Sequence, residues 1–248
     1  MTDIRPPGAT AVALPGEIAT MGRKGQYRVR LAVITVHGHT QPAASEETTM
    51  SDLPHIRPAG PQDREALSSI CLKTADSGAD ASALYSDPEY PGLVWSVPYL
   101  EFAPQHCFVV DEGGTAVGFV VGAADTAAYE RELDEHWWPM LRPRYAGRKP
   151  TARLDPAVLD YIAAPQHFAP DLIEHFPAHL HINLLPHVQS GGWGRRLIDA
   201  ELNSLRQAGA PAVCLGVSRT NERAIGFYRH VGFEKIPTDD GLWFGKVL

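Results

Sequence analysis

The chain contains 248 residues with a formal net charge of −7 at pH 7, and 44% of its residues are hydrophobic and 21% charged. This composition is typical of a soluble globular protein that is long enough to bury a core, and no apolar run approaches the ~20 residues that span a bilayer. The acidic balance disfavours nucleic-acid binding, which needs positive charge to neutralise phosphates, and the mixed, proline-containing N-terminus is not typical of a secretion signal.

The N-terminal part of the chain differs in composition from the remainder. Pro, Gly, Ala and Thr punctuate residues 1–50, which we interpret as an extension or linker. Within this part, residues 27–37 (YRVRLAVITVH) alternate and then become apolar, which predicts an added strand. Residues 51–248 have the pattern of one continuous domain.

The first half of this domain predicts a short strand, a helix and a β-hairpin. Proline in the first turn and apolar residues at helical spacing indicate the first helix, and Glu112-Gly113-Gly114 indicates the hairpin turn. The predicted elements are a strand at 55–58, a helix at 61–74, loops with short helices at 75–100, hairpin strands at 107–111 and 116–123, and a helix at 126–141 that is capped by Asp125 or Thr126.

The second half alternates strands with helices. The predicted elements are a strand at 179–185, a helix at 195–207 closed by Gly209, an apolar strand at 212–217, a helix at 221–230, and strands at 233–236 and 242–247. This alternation predicts an α/β (α+β) fold in which helices cover a mixed sheet.

The cysteines Cys71, Cys107 and Cys214 are odd in number and each lies beside an apolar residue. This pattern favours buried free thiols over disulfides or a metal site, and it is typical of a protein in the reducing cytoplasm. We therefore expect a cytoplasmic location.

Residues 184–196 form a glycine-rich segment between a predicted strand and an amphipathic helix. Its glycines let the backbone turn tightly, and the N-terminus of the next helix attracts phosphate, with Arg195 and Arg196 as further donors. The segment lacks the Gly-Lys-Ser/Thr of a P-loop, and Leu197 replaces the third glycine of a dinucleotide fingerprint. It therefore predicts another class of phosphate loop, or a turn that only caps the helix.

Two motifs together resemble those of the GNAT acetyltransferase superfamily. The pattern Gln-x-x-Gly-x-Gly at 189–194 follows a strand-ending proline and resembles the acetyl-coenzyme A loop. Residues 221–233 (NERAIGFYRHVGF) resemble the last GNAT helix, N-x-x-A-x-x-F-Y-x-x-x-G-F, and the order of elements over most of residues 55–248 also agrees. The resemblance implies a mixed sheet with a splayed central strand, helices on both faces, and binding of acetyl-coenzyme A or coenzyme A.

Within this superfamily, residues 68–233 resemble the acetyltransferase-like C-terminal domain of O-GlcNAcases, here in a free-standing, bacterial-type form. The segments 70–78 (ICLKTADSG), 90–94 (YPGLV), 98–100 (PYL) and 176–180 (FPAHL) carry the resemblance. We expect no sugar hydrolysis, because no segment resembles the glycosidase domain. Some O-GlcNAcase domains have lost the acetyl-coenzyme A loop, whereas this chain retains its glutamine and glycines and is expected to bind the cofactor.

The resemblance also implies roles for individual residues. Residues implied to hold the cofactor are Leu184 and Leu185 through their backbone, Gln189, Ser190, Gly191, Gly192, Trp193, Gly194 and Arg195 at the pyrophosphate, and Asn221 at the pantetheine arm. Tyr228 is implied to be the general acid for the coenzyme A thiolate, since a phenol with an ordinary pKa of ~10 stays protonated at neutral pH. The alternative is that Tyr228 is a core aromatic residue.

The general base is less strongly indicated. His179, His181 and Asn183 alternate along the central strand and share one face. Histidine can accept a proton near neutral pH, so His181 or a water that it holds is the candidate base; a histidine that only packs within the sheet is an equal alternative. By the same resemblance, Asn183 stands where an acid would be useful in related domains, and asparagine cannot act as a base. We predict no metal site, because the histidine pair has no evident further ligand.

The predicted function is an acetyl-coenzyme A-dependent N-acetyltransferase that acetylates a primary amine by direct attack. One alternative is a non-catalytic acetyl-coenzyme A-binding pseudo-acetyltransferase or interaction module, which Asn183 favours; another is transfer of a larger acyl group. The acceptor (a small amine, an antibiotic, a peptide N-terminus or a lysine) stays open. We expect it to bind among residues 75–100 and 130–177, and we expect no nucleic-acid or membrane partner.

Overall fold

The computed structural model describes residues 53–238 and 241–248. The predicted extension at 1–50, with its added strand at 27–37, lies outside the described residues. None of the helices in the described part of the chain has the length and apolar character that crossing a bilayer requires.

Seven strands form one mixed sheet in the order β1-β2-β3-β4-β5-β7-β6 within the described ranges. The strands are β1 His55–Pro58, β2 Cys107–Glu112, β3 Thr115–Ala123, β4 Ala178–Leu184, β5 Ala212–Gly216, β6 Glu234–Ile236 and β7 Trp243–Val247. Neighbouring strands are antiparallel except for β4 and β5, which are parallel. The predicted fold class is therefore confirmed.

Helices cover both faces of this sheet. They are α1 Arg64–Leu72, α2 Tyr90–Trp95, α3 Val97–Phe102, α4 Thr126–Glu132, α5 Trp138–Tyr145, α6 Asp155–Ala163, α7 Pro170–His175, α8 Trp193–Gln207 and α9 Glu222–His230. On one face, α1 to α6 enclose a core with inward residues of β2 and β3 such as Phe119 and Val121. On the other face, α8 and α9 enclose a second core with residues such as Leu180 and Leu215.

The central strand β4 separates from β5 soon after the two strands meet. The parallel pairing consists of Ala178 with Val213 and His179 with Cys214, whereas β4 continues to Leu184 and stays paired with β3 along its length. Beyond His179, one edge of β4 therefore lacks strand partners among the described residues. This is the splayed central strand that the resemblance to GNAT acetyltransferases implies.

The predicted helix at 126–141 is longer and less regular than expected. It runs from α4 through a π-helical turn at Leu133–Trp137 into α5, which ends at Tyr145. Asp125 is the cap, since its side chain accepts a hydrogen bond from the Ala128 N–H at 2.9 Å. Pro139 lacks an N–H, so the regular α-helical hydrogen bond cannot form there, and the π turn lies directly before it.

A buried glutamic acid in α8 faces the sheet without a hydrogen-bond partner. Both carboxyl oxygens of Glu201 are buried and lack partners among the described residues, and Oε1 reaches the backbone of Gly122, where a side chain would clash. Burial raises the pKa of Glu201 well above its usual value, because a charged carboxylate is poorly solvated in an apolar core. Folding therefore favours the protonated, neutral form of Glu201.

We expect E201Q to flatten the pH dependence of stability. With the folded pKa raised, the folded state holds a proton that the unfolded state has released, so stability falls as the pH rises above about 4.5, by up to about 1.4 kcal/mol per pH unit. Chemical unfolding from about pH 5 to pH 8 should show an advantage of E201Q over wild type that grows with pH. The exposed control E174Q should track wild type, and parallel curves for E201Q and wild type would contradict this account.

Candidate functional site

The glycine-rich loop after β4 contains two residues with a left-handed backbone, a feature of anion-binding nests. Ser190 and Gly192 adopt left-handed conformations, with φ of 75° and 77°, on either side of Gly191. Where left-handed residues alternate with right-handed ones, successive backbone N–H groups turn toward one side of the chain. A left-handed backbone at position 192 is the reason glycine is favoured there.

The start of α8 adds further free donors to this loop. Among the described residues, the backbone N–H groups from Ser190 to Arg195 have no backbone acceptor, and the first closed bond joins the Arg196 N–H to the Gly192 carbonyl at 3.2 Å. These groups point away from the helix at its positive end. The guanidinium of Arg196 lies 4.6 Å from the Trp193 ring centroid. The loop therefore offers several amides to an anion in a chain whose net charge is −7.

The Gln189 side chain ties this loop to both β4 and α9. Its Nε2 donates to the Leu184 carbonyl at 2.7 Å, and its Oε1 accepts a hydrogen bond from Arg223 in α9. The Leu185 N–H is already bonded to the Val117 carbonyl at 3.0 Å. These two backbone groups are thus used within the protein, and the contacts of Leu184 and Leu185 with a pantetheine arm stay a prediction.

Gly194 lets α9 approach the start of α8. A β-carbon at this position would lie 3.1 Å from Cζ of Phe227 and 3.8 Å from Cδ1 of Leu184. Any larger side chain at position 194 would therefore press on α9 and on the end of β4. The glycine spacing of the loop serves this packing as well as the backbone turn.

Asn221 caps α9 rather than standing free. Its Oδ1 accepts the Ala224 N–H at 3.0 Å, which leaves Nδ2 as the group available to a ligand. The adjacent Thr220 hydroxyl lies 3.5 Å from the Ser77 hydroxyl of the loop that follows α1. The loop after α1 thus reaches the segment before α9, and the predicted contact of Asn221 with the cofactor stays untested.

Both ring nitrogens of His179 form hydrogen bonds inside the core. Thr126 donates its hydroxyl proton to the Pro177 carbonyl at 2.7 Å, so it must accept from His179 Nδ1, which lies 2.8 Å away. The other ring nitrogen, Nε2, therefore accepts from the Tyr99 hydroxyl at 2.7 Å. Burial, with a smaller contribution from His181, lowers the pKa of His179 to about 3. His179 is thus a neutral structural residue.

His181 lies on the same face of β4 and is only half-buried. Its ring contacts Tyr99 edge-on at a centroid distance of 5.7 Å. Burial lowers the pKa of His181 to about 4, so its imidazole is neutral at pH 7 and can accept a proton. Two residues further along, Asn183 Nδ2 donates to the Thr74 hydroxyl at 2.7 Å.

Tyr228 lies in the core on the opposite face of the sheet. Its ring packs against Phe233 and Phe244 with centroid distances of 6.0 and 6.1 Å. Burial raises the pKa of the Tyr228 phenol above its ordinary value, so the hydroxyl stays protonated. His181 and Tyr228 therefore lie on opposite faces of the sheet, one neutral and able to accept a proton, the other able to donate one.

Several residues of the ranges 75–100 and 130–177, where the acceptor is expected to bind, have structural roles. Trp137 and Trp138 are buried in the core. Asp87 and Glu89 form ion pairs with Arg148 and Arg144. The three predicted buried cysteines are confirmed as free and buried, and burial raises the pKa of each thiol.

Sequence reasoning missed Thr74, Tyr99, Thr126 and Arg223 as partners of the candidate site residues. Thr74, Tyr99 and Thr126 pair with residues much further along the chain. Arg223 pairs with Gln189, which lies 34 positions away. Thr74 and Tyr99 lie in the segments 70–78 and 98–100 that resemble the O-GlcNAcase domains, and Arg223 lies in the motif at 221–233, but these resemblances do not indicate the pairings. No local pattern indicates the pairing of Thr126 with His179.

Comparisons with known proteins agree with this architecture. The chain is 35% identical to a protein solved as SsHAT, with a TM-score of 0.73, over 78% of this chain and 98% of that one. The polyamine N-acetyltransferase of Drosophila melanogaster is 18% identical with a TM-score of 0.51, over 79% of this chain and all of its own, and shows the likeness of fold alone.

Among curated proteins, the O-GlcNAcase of Rattus norvegicus is 21% identical over 198 residues. These cover 79% of this chain but 22% of the relative, so the chain spans about a fifth of the length of such relatives. The similarity to the O-GlcNAcases that the sequence motifs indicate is therefore confirmed as a distant one.

The model of the acetyltransferase (GNAT) family matches residues 77–233. The match includes the loop after the splayed strand and the whole of α9, and it covers more than half of the chain. The protein therefore belongs to the GNAT acetyltransferase family.

Proposed function

We propose that this protein is an acetyl-coenzyme A-dependent N-acetyltransferase that acetylates a primary amine by direct attack. The observation that carries the proposal is the row of backbone N–H groups from Ser190 to Arg195 that have no backbone acceptor among the described residues, at the end of the splayed strand. Such a row is suited to a pyrophosphate. We place the catalytic unit within residues 51–248.

The chain's residues fit acetyl-coenzyme A as a substrate. Residues proposed to hold it are Leu184, Leu185, Gln189, Ser190, Gly191, Gly192, Trp193, Gly194, Arg195 and Asn221. The unpaired edge of β4 beyond His179 lies directly before this loop. In the proposal, backbone groups along that edge hold the extended pantetheine arm, while the loop holds the phosphates.

The transfer needs a proton acceptor on one side of the thioester and a proton donor on the other. The amine nitrogen forms a bond to the acetyl carbon, the carbon–sulfur bond breaks, and the sulfur leaves with the electron pair. In the proposal, His181 or a water that it holds takes the proton released by the amine, and Tyr228 donates its proton to the sulfur. Proton exchange with solvent restores both groups.

We expect H181Q to lower kcat/KM for an amine by about tenfold, less than the ~10²-fold typical of a strong general base. A group with a pKa of about 4 is a weak base. Because that pKa is lowered, His181 is neutral above about pH 4. The pH profile of wild-type kcat/KM, measured from about pH 5 upward, should therefore show no acid limb near pH 6.5 that is due to His181. A limb near 6.5 that disappears in H181Q, or unchanged activity in H181Q, would contradict this role; the exposed control H175Q should retain wild-type activity.

Titration with acetyl-coenzyme A, followed by thiol release with a panel of primary amines, tests the whole proposal. We expect saturable binding in wild type, affinity lowered by about 100-fold in G192D and also lowered in G194D, and turnover with at least one amine. Unchanged affinity in both variants would overturn the cofactor assignment. Tight binding without turnover of any amine would instead favour a non-catalytic acetyl-coenzyme A-binding module.

A further inference from the structure

The hydroxyl of Thr74, at the end of α1, already donates its only proton to a hydrogen bond within the protein. It is 5% exposed, and its Oγ1 donates to the Ile70 carbonyl at 2.7 Å, with the Cys71 carbonyl at 3.3 Å. A threonine hydroxyl carries one donor and two acceptor lone pairs. Toward any other neighbour, the Thr74 hydroxyl can therefore act only as an acceptor.

Because the Thr74 hydroxyl can only accept a hydrogen bond from Asn183, it fixes the orientation of the Asn183 amide. One terminal atom of Asn183 lies 2.7 Å from Thr74 Oγ1, so it must be the donor nitrogen, Nδ2. The flipped amide would place two acceptors against each other and leave the buried hydroxyl oxygen without its donor. Asn183 thus turns its carbonyl oxygen, Oδ1, away from Thr74, and no described residue donates a hydrogen bond to Oδ1.

The free oxygen belongs to the strand face that carries His181. Residues 181 and 183 alternate along β4 and share one face, and Asn183 is half-buried. Across the ladder, Asn183 pairs with Phe119, which is fully buried. On the other side, β4 has no strand partner beyond His179 among the described residues. Oδ1 is therefore a fixed acceptor at the splayed part of the strand.

We infer that Asn183 Oδ1 accepts an N–H of the acceptor amine, and that Thr74 is the positioning residue that keeps the amide in this orientation. The inference rests on the proposed function. An amide oxygen does not take a proton at neutral pH, so Asn183 orients the nitrogen, and the proton passes to His181 or to solvent. Orienting the nucleophile is a large part of what an enzyme contributes to a bimolecular transfer. Asparagine at this position is thus compatible with catalysis.

The probe for this inference is n-butylamine, which has one N–H-bearing group and no other polar atom. Acetylation is followed by thiol release from acetyl-coenzyme A, and the Kd of acetyl-coenzyme A is measured separately. We expect T74V, which keeps the shape and removes the hydroxyl, to lower kcat/KM for n-butylamine about tenfold, mainly through KM, with Kd unchanged. T74S restores the hydroxyl and should recover most of the activity.

A double-mutant cycle separates positioning from a general structural effect. We expect N183A to lower kcat/KM at least as much as T74V, and T74V to have little further effect in the N183A background, because its role acts through the amide. Additive losses, equal losses in T74S and T74V, or full activity in N183A would overturn the inference.

Two further results test the inference. If T74V fails to fold, NMR hydrogen exchange of the Asn183 side-chain amide in wild type tests the orientation instead. Slowed exchange of one Nδ2 proton supports the orientation, and free exchange of both protons overturns it. Wild type that binds acetyl-coenzyme A but acetylates no amine overturns this inference while cofactor binding stands. Failure to bind acetyl-coenzyme A overturns the proposed function itself.

Discussion

G192D is expected to weaken acetyl-coenzyme A binding by about 100-fold, equivalent to ~2.8 kcal/mol, while the protein stays folded. Gly192 has a φ of 77° and no neighbouring atom within 4 Å of an added β-carbon. Aspartate tolerates the left-handed region better than most residues, so the fold should survive. Its carboxylate would lie beside the amides of the loop, where it repels a pyrophosphate and competes for the same donors.

The same helix offers a matched control at its other end. Gly209 has a φ of 83° and, like Gly192, no neighbouring atom within 4 Å of an added β-carbon. G209D therefore introduces the same charge and a similar backbone strain, but it lies beyond the C-terminus of α8, away from the loop. We expect calorimetric titration to give wild-type affinity for G209D. Equal affinities for G192D and wild type, or equal losses in G192D and G209D, would contradict an anion site at the start of α8.

Y228F is expected to lower kcat by about 10²-fold, within the range typical of a lost general acid, and to leave the Kd of acetyl-coenzyme A unchanged. The phenylalanine ring keeps the packing against Phe233 and Phe244. Only the proton for the departing sulfur is lost. Since burial raises the pKa of the phenol, wild-type activity should show no alkaline limb from Tyr228 below about pH 10.

Tyr145 provides the control for removing a buried hydroxyl. Its oxygen is buried without a hydrogen-bond partner among the described residues, and it lies in α5, among the helices of the other face. Y145F should retain the kcat of wild type with equal or higher thermal stability, because no hydrogen bond is lost. If Y228F also keeps wild-type kcat, Tyr228 is a core aromatic residue and the sulfur takes its proton from elsewhere.

Local sequence signals predicted the elements that build the cofactor side of the site. The loop glycines, the amphipathic spacing of α8 and the motif of α9 are all contained within short windows, so their boundaries fall within about two residues of the structure. The π turn before Pro139 was not predicted, because the apolar spacing of residues 126–141 suits a regular helix. Residue type does not distinguish His179 from His181, because both are histidines on one face of β4. The structure distinguishes them: His179 is buried with both ring nitrogens hydrogen-bonded, whereas His181 is half-buried.

The pairings on the amine side could not be predicted from the sequence. Thr74 and Asn183 are 109 positions apart, and Tyr99 and His179 are 80 apart. These contacts depend on the register of β4 against β3 and on how α1 packs against these two strands, and no periodicity encodes either. From the sequence alone, Asn183 therefore indicated only a missing acid, whereas its hydrogen bond to Thr74 is the basis for the proposed role of its amide.

The central claim is that the amides after the splayed strand hold a pyrophosphate, and a crystal structure with coenzyme A tests it most directly. The account predicts phosphate oxygens at about 2.7–3.2 Å from backbone nitrogens between Ser190 and Arg195, with the pantetheine arm along the open edge of β4. Phosphates bound at another surface, or loop amides turned away from them, would contradict the account.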